Sequence, residues 1–202
     1  IDDLITILFK EAENCLSKDN YYKLISVKKY YKIKLKKLYS LIKNFKEKFR
    51  SLNNDLTNSP FKKKLFSTFI SYLPPNEIKF QIKKNVDKRG KFIEFSKTKN
   101  SGQISFFSIK PGVIRGEHYH NTKIEKFLLL NGSLNYITKN LSDNKKKTYK
   151  LNSNKAEVIY SIPGHVHYFK NNTRKEALVL IWANEMFSMN KPDTFILKNE
   201  KN

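Results

Sequence analysis

The stretch GVIRGEHYHNTKIEKFLLLNG, residues 112–132, sets three glycines around two histidines one residue apart and a carboxylate shortly after them. On a β-strand, residues i and i+2 point to the same face, so His118 and His120 present both imidazoles to one side. Glu125 opens a second apolar run after the short turn NTKI, within reach of both. His167 lies on a later run, HVHYFK, and all four histidines of the chain (118, 120, 165 and 167) fall within these two segments. Three imidazoles and one carboxylate make a ligand set for a divalent transition metal, with positions left open for substrate. The same residues also fit a pocket of histidines without metal.

Outward from this stretch, the chain after Pro75 alternates short apolar runs with turn residues. KFIEF, QISFFSI, EKFLLL, SLNYIT, AEVIYSI, HVHYFK and ALVLIWA read as strands, broken at KTKNSG, NG, SDNK, PG and NNTR. Many short strands at near-regular spacing predict a mainly β fold over residues 76–202, closed or sandwiched and antiparallel. Asn131–Gly132 reads as a tight hairpin holding the next strand in register. Ahead of this region the periodicity is helical. Leu24, Val27, Tyr31, Leu35, Leu38, Ile42, Phe45 and Phe49 recur at helical spacing with Lys on the other face, so 1–58 reads as a helical segment, broken near residues 17–20. Ser59 and Pro60 mark the start of a linking helix, 59–75, which Pro74–Pro75 ends.

With 202 residues, 39% of them hydrophobic, the chain is long enough to bury a core. Its formal net charge of +22 invites a nucleic-acid reading. Against it, the basic residues are spread along the chain instead of gathered on one tail. Only four of the 40 are arginine (Arg50, Arg89, Arg115 and Arg174), the residue whose planar fork suits phosphates and base edges. No nucleic-acid partner is expected. A single cysteine, Cys15, excludes an internal disulfide framework and fits a reducing compartment. No apolar run approaches the ~20 residues of a membrane span, and no charged-then-apolar leader opens the chain, so a cytoplasmic location without membrane insertion is expected. Tyr30 and Lys34 have the YxxxK spacing of a short-chain dehydrogenase, but no glycine-rich dinucleotide fingerprint stands before them.

Gly112, five residues, His118-x-His120, four residues, Glu125, six residues and Gly132 resemble the first cupin motif at every position. Gly164-x-x-His167-x-x-x-Asn171 resembles the second. The second departs at one point: its proline usually stands two residues before the glycine, where this chain has Ile162, and Pro163 stands directly before Gly164. Beyond the motifs, FSTFISYLPP, DKRGKFIEF, GQISFF, PGVIRGEHYHNTKIEKFL, IPGHVH, LIWANEMF and KPDTF resemble the C-terminal half of a family of bifunctional capsule and O-antigen enzymes. These make UDP-N-acetyl-L-fucosamine precursors, and in them a short-chain reductase is followed by a zinc-binding cupin. Residues 1–58 are similar to the helical end of the reductase domain.

The resemblance implies a cupin jelly-roll barrel that epimerises the carbon beside the 4-keto group of a UDP-linked 6-deoxy-N-acetyl amino sugar. That is an isomerase of nucleotide-sugar and capsule polysaccharide biosynthesis, paired as a homodimer through the cupin domain. It implies a divalent metal, zinc, on His118, His120, Glu125 and His167. The chemistry asks for a base, an acid on the opposite face, and positive charge where the enolate oxygen develops. His118 and His165 are the expected proton carriers and Lys126 the expected cation at the oxyanion. Arg115 and Lys123 are the expected substrate contacts, with Arg115 at the diphosphate. Each has an alternative: His165 as a hydrogen-bonded pocket wall, Lys126 as a solvated strand residue, Arg115 as part of its turn. Trp182 and Phe187 read as core, and Tyr119 as an outward-facing structural residue. Two other functions fit the same residues, a 3,4-ketoisomerase on the same keto-sugar and a non-catalytic sugar-binding or dimerisation module. An NADPH-dependent reductase is not expected within this chain, and a reductase domain is expected ahead of Ile1 in the gene.

Overall fold

The computed structural model describes residues 2–16, 23–25, 27 and 30–196. The chain divides into two compact units, Ile1–Leu41 and Ile42–Asn202. In the second unit the alternating runs form eleven strands among the described residues. These are β1 (Lys84–Asp87), β2 (Gly90–Thr98), β3 (Gly102–Ile109), β4 (Ile114–Tyr119), β5 (Glu125–Asn131), β6 (Ser133–Asn140), β7 (Lys146–Asn152), β8 (Val158–Tyr160), β9 (His165–Lys170), β10 (Ala177–Ala183) and β11 (Phe195–Ile196). They make two antiparallel sheets, a six-stranded one in the order β1-β2-β3-β10-β5-β8 and a five-stranded one in the order β11-β4-β9-β6-β7. This is the mainly β, cupin-type architecture that the sequence predicts.

Every second residue of the inner strands points between the sheets. Phe107 and Ile109 of β3, Phe127 and Leu129 of β5, and Ala177 and Val179 of β10 come from one layer. Leu134 and Tyr136 of β6, Leu151 of β7 and Phe169 of β9 come from the other, and together they form one buried cluster. The Phe169 ring is its centre, with ring centroids 5.6 Å from Phe107, 5.0 Å from Phe127 and 4.9 Å from Tyr136. Those separations are the range in which aromatic edges and faces attract.

Two expectations about elements change. Asn131–Gly132 does not close a hairpin, because β5 pairs with β10 and β8 while β6 pairs with β7 and β9. The dipeptide instead carries the chain from one sheet to the other, with Gly132 at φ 94. The long helix expected from Leu24 to Phe49 also shortens. Residues 30–34 are not helical, and α2 runs from Leu35 to Lys48, after α1 at Asp2–Leu16. Lys28, Lys32 and Lys36 are spaced four apart in sequence, and like charges at that spacing oppose a helix. The break expected near residues 17–20 lies outside the described residues.

The linking helix forms as α3, Pro60–Ser71. The Ser59 hydroxyl accepts from Lys62 N–H at 3.3 Å and Pro60 takes the first turn. Its Phe66 and Phe69 close on the fully buried Phe45, with centroids at 5.1 and 5.9 Å. The Leu52–Asn54 segment joins the edge of β2 through two backbone hydrogen bonds to Lys97. A short helix, α4 (Pro75–Ile78), precedes β1. No helix among the described residues is long and apolar enough to cross a membrane.

Candidate metal centre

The first ligand strand is irregular where it matters. β4 pairs with β9 at Arg115↔Phe169 and Gly116↔Tyr168, then shifts register before His118↔His167. The extra residue is Glu117, at φ 63, so this is a β-bulge. Gly116 permits it: a Cβ there would lie 2.8 Å from the His167 carbonyl oxygen. Residues 115 and 118, three apart, would face opposite sides of a regular strand. The bulge turns both toward the interior, and both line the same cavity.

His118, His120, Glu125 and His167 offer ligand atoms that all lie within 4.8 Å of one another. The three imidazole centroids are 4.8 to 5.1 Å apart. His120 and His167 are each 1% exposed and Glu125 8%. Nδ1 of His120 meets the Asp193 carbonyl, and Nδ1 of His167 faces the His165 carbonyl at 3.5 Å. A carbonyl only accepts, so each ring, when neutral, carries its one proton on Nδ1 and leaves Nε2 as a bare lone pair. Those two Nε2 atoms stand 3.1 and 3.3 Å from Glu125 Oε2, yet neither has a hydrogen-bond partner. Acceptors crowded onto acceptors in a buried site are costly unless a cation lies between them. The donor set therefore fits a divalent metal.

The charge states agree with this. Burial, then the neighbouring His167 ring, pushes the His118 imidazole down to about 4, so it is neutral near pH 7. Burial alone would push the Glu125 carboxyl up. With both neighbouring Nε2 atoms unprotonated, a cation between them is what would hold the carboxyl ionised.

The cluster stands where two cavities meet, both lined by Phe92, His118, Glu125 and Ile181. Their volumes are about 200 and 350 Å³, near the lower end of small-ligand sites. The first cavity is cationic, with Arg89 and Arg115 in its wall. Arg115 lies 5.1 Å over the Phe107 ring and donates to the Ser108 carbonyl at 3.3 Å. Arg89 holds Asp87, whose carboxyl is lowered to about 2 by that hydrogen bond. The second cavity sets a few polar groups in a largely apolar wall. Gln103 donates to Glu94 and Ser105, both at 3.0 Å, and buried Lys123 donates to the Pro192 carbonyl and the Thr194 hydroxyl, both at 2.8 Å.

Of the residues singled out from sequence, the structure brings His118, His120, Glu125, His167, Arg115 and Lys123 together around these cavities. Two it does not. Lys126 follows inward-facing Glu125 and so points outward, its ammonium 4.5 Å from the Trp182 ring and 5.7 Å from Tyr160. His165 opens β9 beside the Pro163–Gly164 turn, with Nδ1 3.2 Å from the Pro163 carbonyl, and lines neither cavity. Phe187, read as core, is 52% exposed and lines the second cavity. Asn171 of the second motif is buried in a turn, donating to the carbonyls of Ile109 and Lys175. Sequence reasoning did not single out Arg89, Glu94, Gln103, Ser105 or Asp193. The stretches DKRGKFIEF, GQISFF and KPDTF contain them, and no spacing rule marks them.

Residues 85–195 match the family described as the polysaccharide biosynthesis C-terminal domain. The chain is 34% identical over 195 residues to a UDP-2-acetamido-2,6-beta-L-arabino-hexul-4-ose reductase from Pseudomonas aeruginosa, covering 96% of this chain and 52% of that protein. Among solved structures it is similar to the capsular polysaccharide assembling protein CapF from Staphylococcus aureus, with a TM-score of 0.84 and 31% identity over 98% of this chain and 57% of that one. CapF with the inhibitor 3-isopropenyl-tropolone gives a TM-score of 0.82 at 31% identity, over 95% and 56%. The chain spans little more than half the length of the relatives it matches.

Proposed function

Because the chain belongs to the polysaccharide biosynthesis C-terminal domain family, we propose that its β-domain is an epimerase of nucleotide-sugar biosynthesis for capsule or O-antigen. It acts on the carbon beside the 4-keto group of a UDP-linked 6-deoxy-N-acetyl amino sugar, with zinc held by His118, His120, Glu125 and His167. One observation carries the reading: two buried Nε2 lone pairs converge on a carboxylate where two cavities join. A bound cation supplies positive charge beside the keto oxygen, which lowers the cost of the enolate that proton loss creates. Arg115 and Arg89 hold the diphosphate in the first cavity, where a guanidinium fork suits phosphate oxygens. Lys123 is a second cation for the developing oxyanion. Glu94 and Glu185 are the carboxylates that the second cavity offers for proton transfer.

We also infer that two copies pair through the outer face of the six-stranded sheet. Leu130, Val158 and Tyr160 are 46%, 56% and 51% exposed there, next to Lys126 and Trp182.

Elemental analysis and sugar turnover in deuterated water test the enzyme. One zinc per chain and deuterium at the epimerised carbon are expected, with the product identified by NMR. His120→Ala should lose the metal and slow exchange by at least about 100-fold, the upper scale for damage around metal sites. No stoichiometric metal, together with exchange that persists in chelator, sinks the metal reading. A 3-keto product reassigns the chain as a ketoisomerase.

A further inference from the structure

Residues 190–196, NKPDTFI, cross the end of the ligand cluster. β11 adds to the edge of β4 by pairing Phe195 with Tyr119 and Ile196 with His118, and the Phe195 ring stacks on Tyr119 at 5.3 Å. Just before β11, three consecutive residues grip the 120–123 turn. The Asp193 carbonyl accepts from His120 Nδ1. Its carboxylate accepts from the backbone N–H groups of Asn121, Thr122 and Lys123 at 3.0, 2.9 and 2.7 Å, and from the Thr122 hydroxyl at 3.0 Å. On either side, the Pro192 carbonyl and the Thr194 hydroxyl receive Lys123 Nζ. Asp193 makes both sets of contacts from a left-handed backbone, φ 37. Such a conformation in a residue other than glycine persists only where surrounding contacts over-determine it.

The consequence for His120 follows from proton counting. A neutral imidazole has one N–H, and the Asp193 carbonyl keeps it on Nδ1. Nε2 is then bare and aimed at Glu125. For Lys123, which is 5% exposed, the strap supplies two acceptors to an ammonium that burial would otherwise penalise. The third N–H is left for the cavity the residue lines.

We propose that Asp193 is a positioning residue. Its carbonyl and carboxylate hold His120 as the Nδ1–H tautomer, with Nε2 open to a metal, and the strap it anchors fixes Lys123 in the wall of the second cavity. The use made of Nε2 rests on the metal reading above, whereas the tautomer is a property of the metal-free chain.

The test compares the wild-type chain with Asp193→Ala and Asp193→Asn by two readouts. Nitrogen-15 NMR of the histidine rings in metal-stripped protein at neutral pH should show His120 wholly as Nδ1–H in wild type and as a mixture of tautomers in Asp193→Ala. Competition with a chromophoric chelator should show zinc affinity falling by ~10–100-fold in Asp193→Ala, the range seen when partners behind metal ligands are lost. Asp193→Asn, which keeps one acceptor oxygen, should fall between. If Asp193→Ala does not fold, Asp193→Asn carries both readouts. Folded variants with the wild-type tautomer overturn the proposal, whether or not zinc affinity drops, because a drop alone reports general loosening. A wild-type chain that binds no zinc, yet shows the tautomer shift on mutation, sinks the metal reading and leaves the positioning role standing.

Discussion

Glu117 stands at φ 63, where an L side chain costs roughly 1–2 kcal/mol. The strain is what allows Arg115 and His118 to share a cavity, since the extra residue resets the alternation of β4. Glu117→Gly should keep the bulge and raise the unfolding free energy by up to about 1 kcal/mol, the relief of strain less the entropy that glycine loses. Glu117→Val should lower it by at least as much, because a β-branched residue tolerates positive φ poorly. Urea unfolding midpoints measure both, and a valine variant as stable as wild type would show that the bulge does not depend on this torsion. At this scale the clustering of His118, His120, Glu125 and His167 was legible, because all four are of the few residue types that bind metals and two of them share the strand period. Which neighbours face inward was not. Alternation breaks at Glu117 and again in the 120–124 turn, and Lys126 is outward for the plain reason that Glu125 is inward. Asp193 acts on His120 through a backbone carbonyl across 73 positions, and no residue type announces that.

Among the elements, the strands richest in apolar residues were readable from alternation alone. β7, KKTYKLN, was hidden because lysine fills most of its exposed positions, and β1 and β11 are too short to show a period. The Asn131–Gly132 junction was misread because an Asn-Gly pair suits a hairpin as well as a change of sheet. Here the glycine is required twice, by its φ of 94 and by the Ala177 side chain, which a new Cβ would meet at 3.2 Å. Gly132→Ala should therefore destabilise the fold by about 1–3 kcal/mol. Thermal melts decide, and an unchanged midpoint would mean that the junction relaxes freely.

For the molecule as a whole, the antiparallel β-rich core followed from period, whereas the full strand count and sheet membership did not, because three strands carry no readable alternation and pairing joins segments far apart in sequence. The outer face around Val158 and Tyr160 sets the remaining expectation. Replacing both with Glu should turn a dimer into a folded monomer in sedimentation velocity, by placing charge on an apolar face. A wild-type chain that sediments as a monomer at micromolar concentration would rule that pairing out. The cluster has its own meaning at this scale. Glu125 belongs to the six-stranded sheet, while His118 and His167 belong to the five-stranded one. A cation gripped by all of them is a rivet through both leaves of the sandwich, and the leaves cannot part at that end while it is seated.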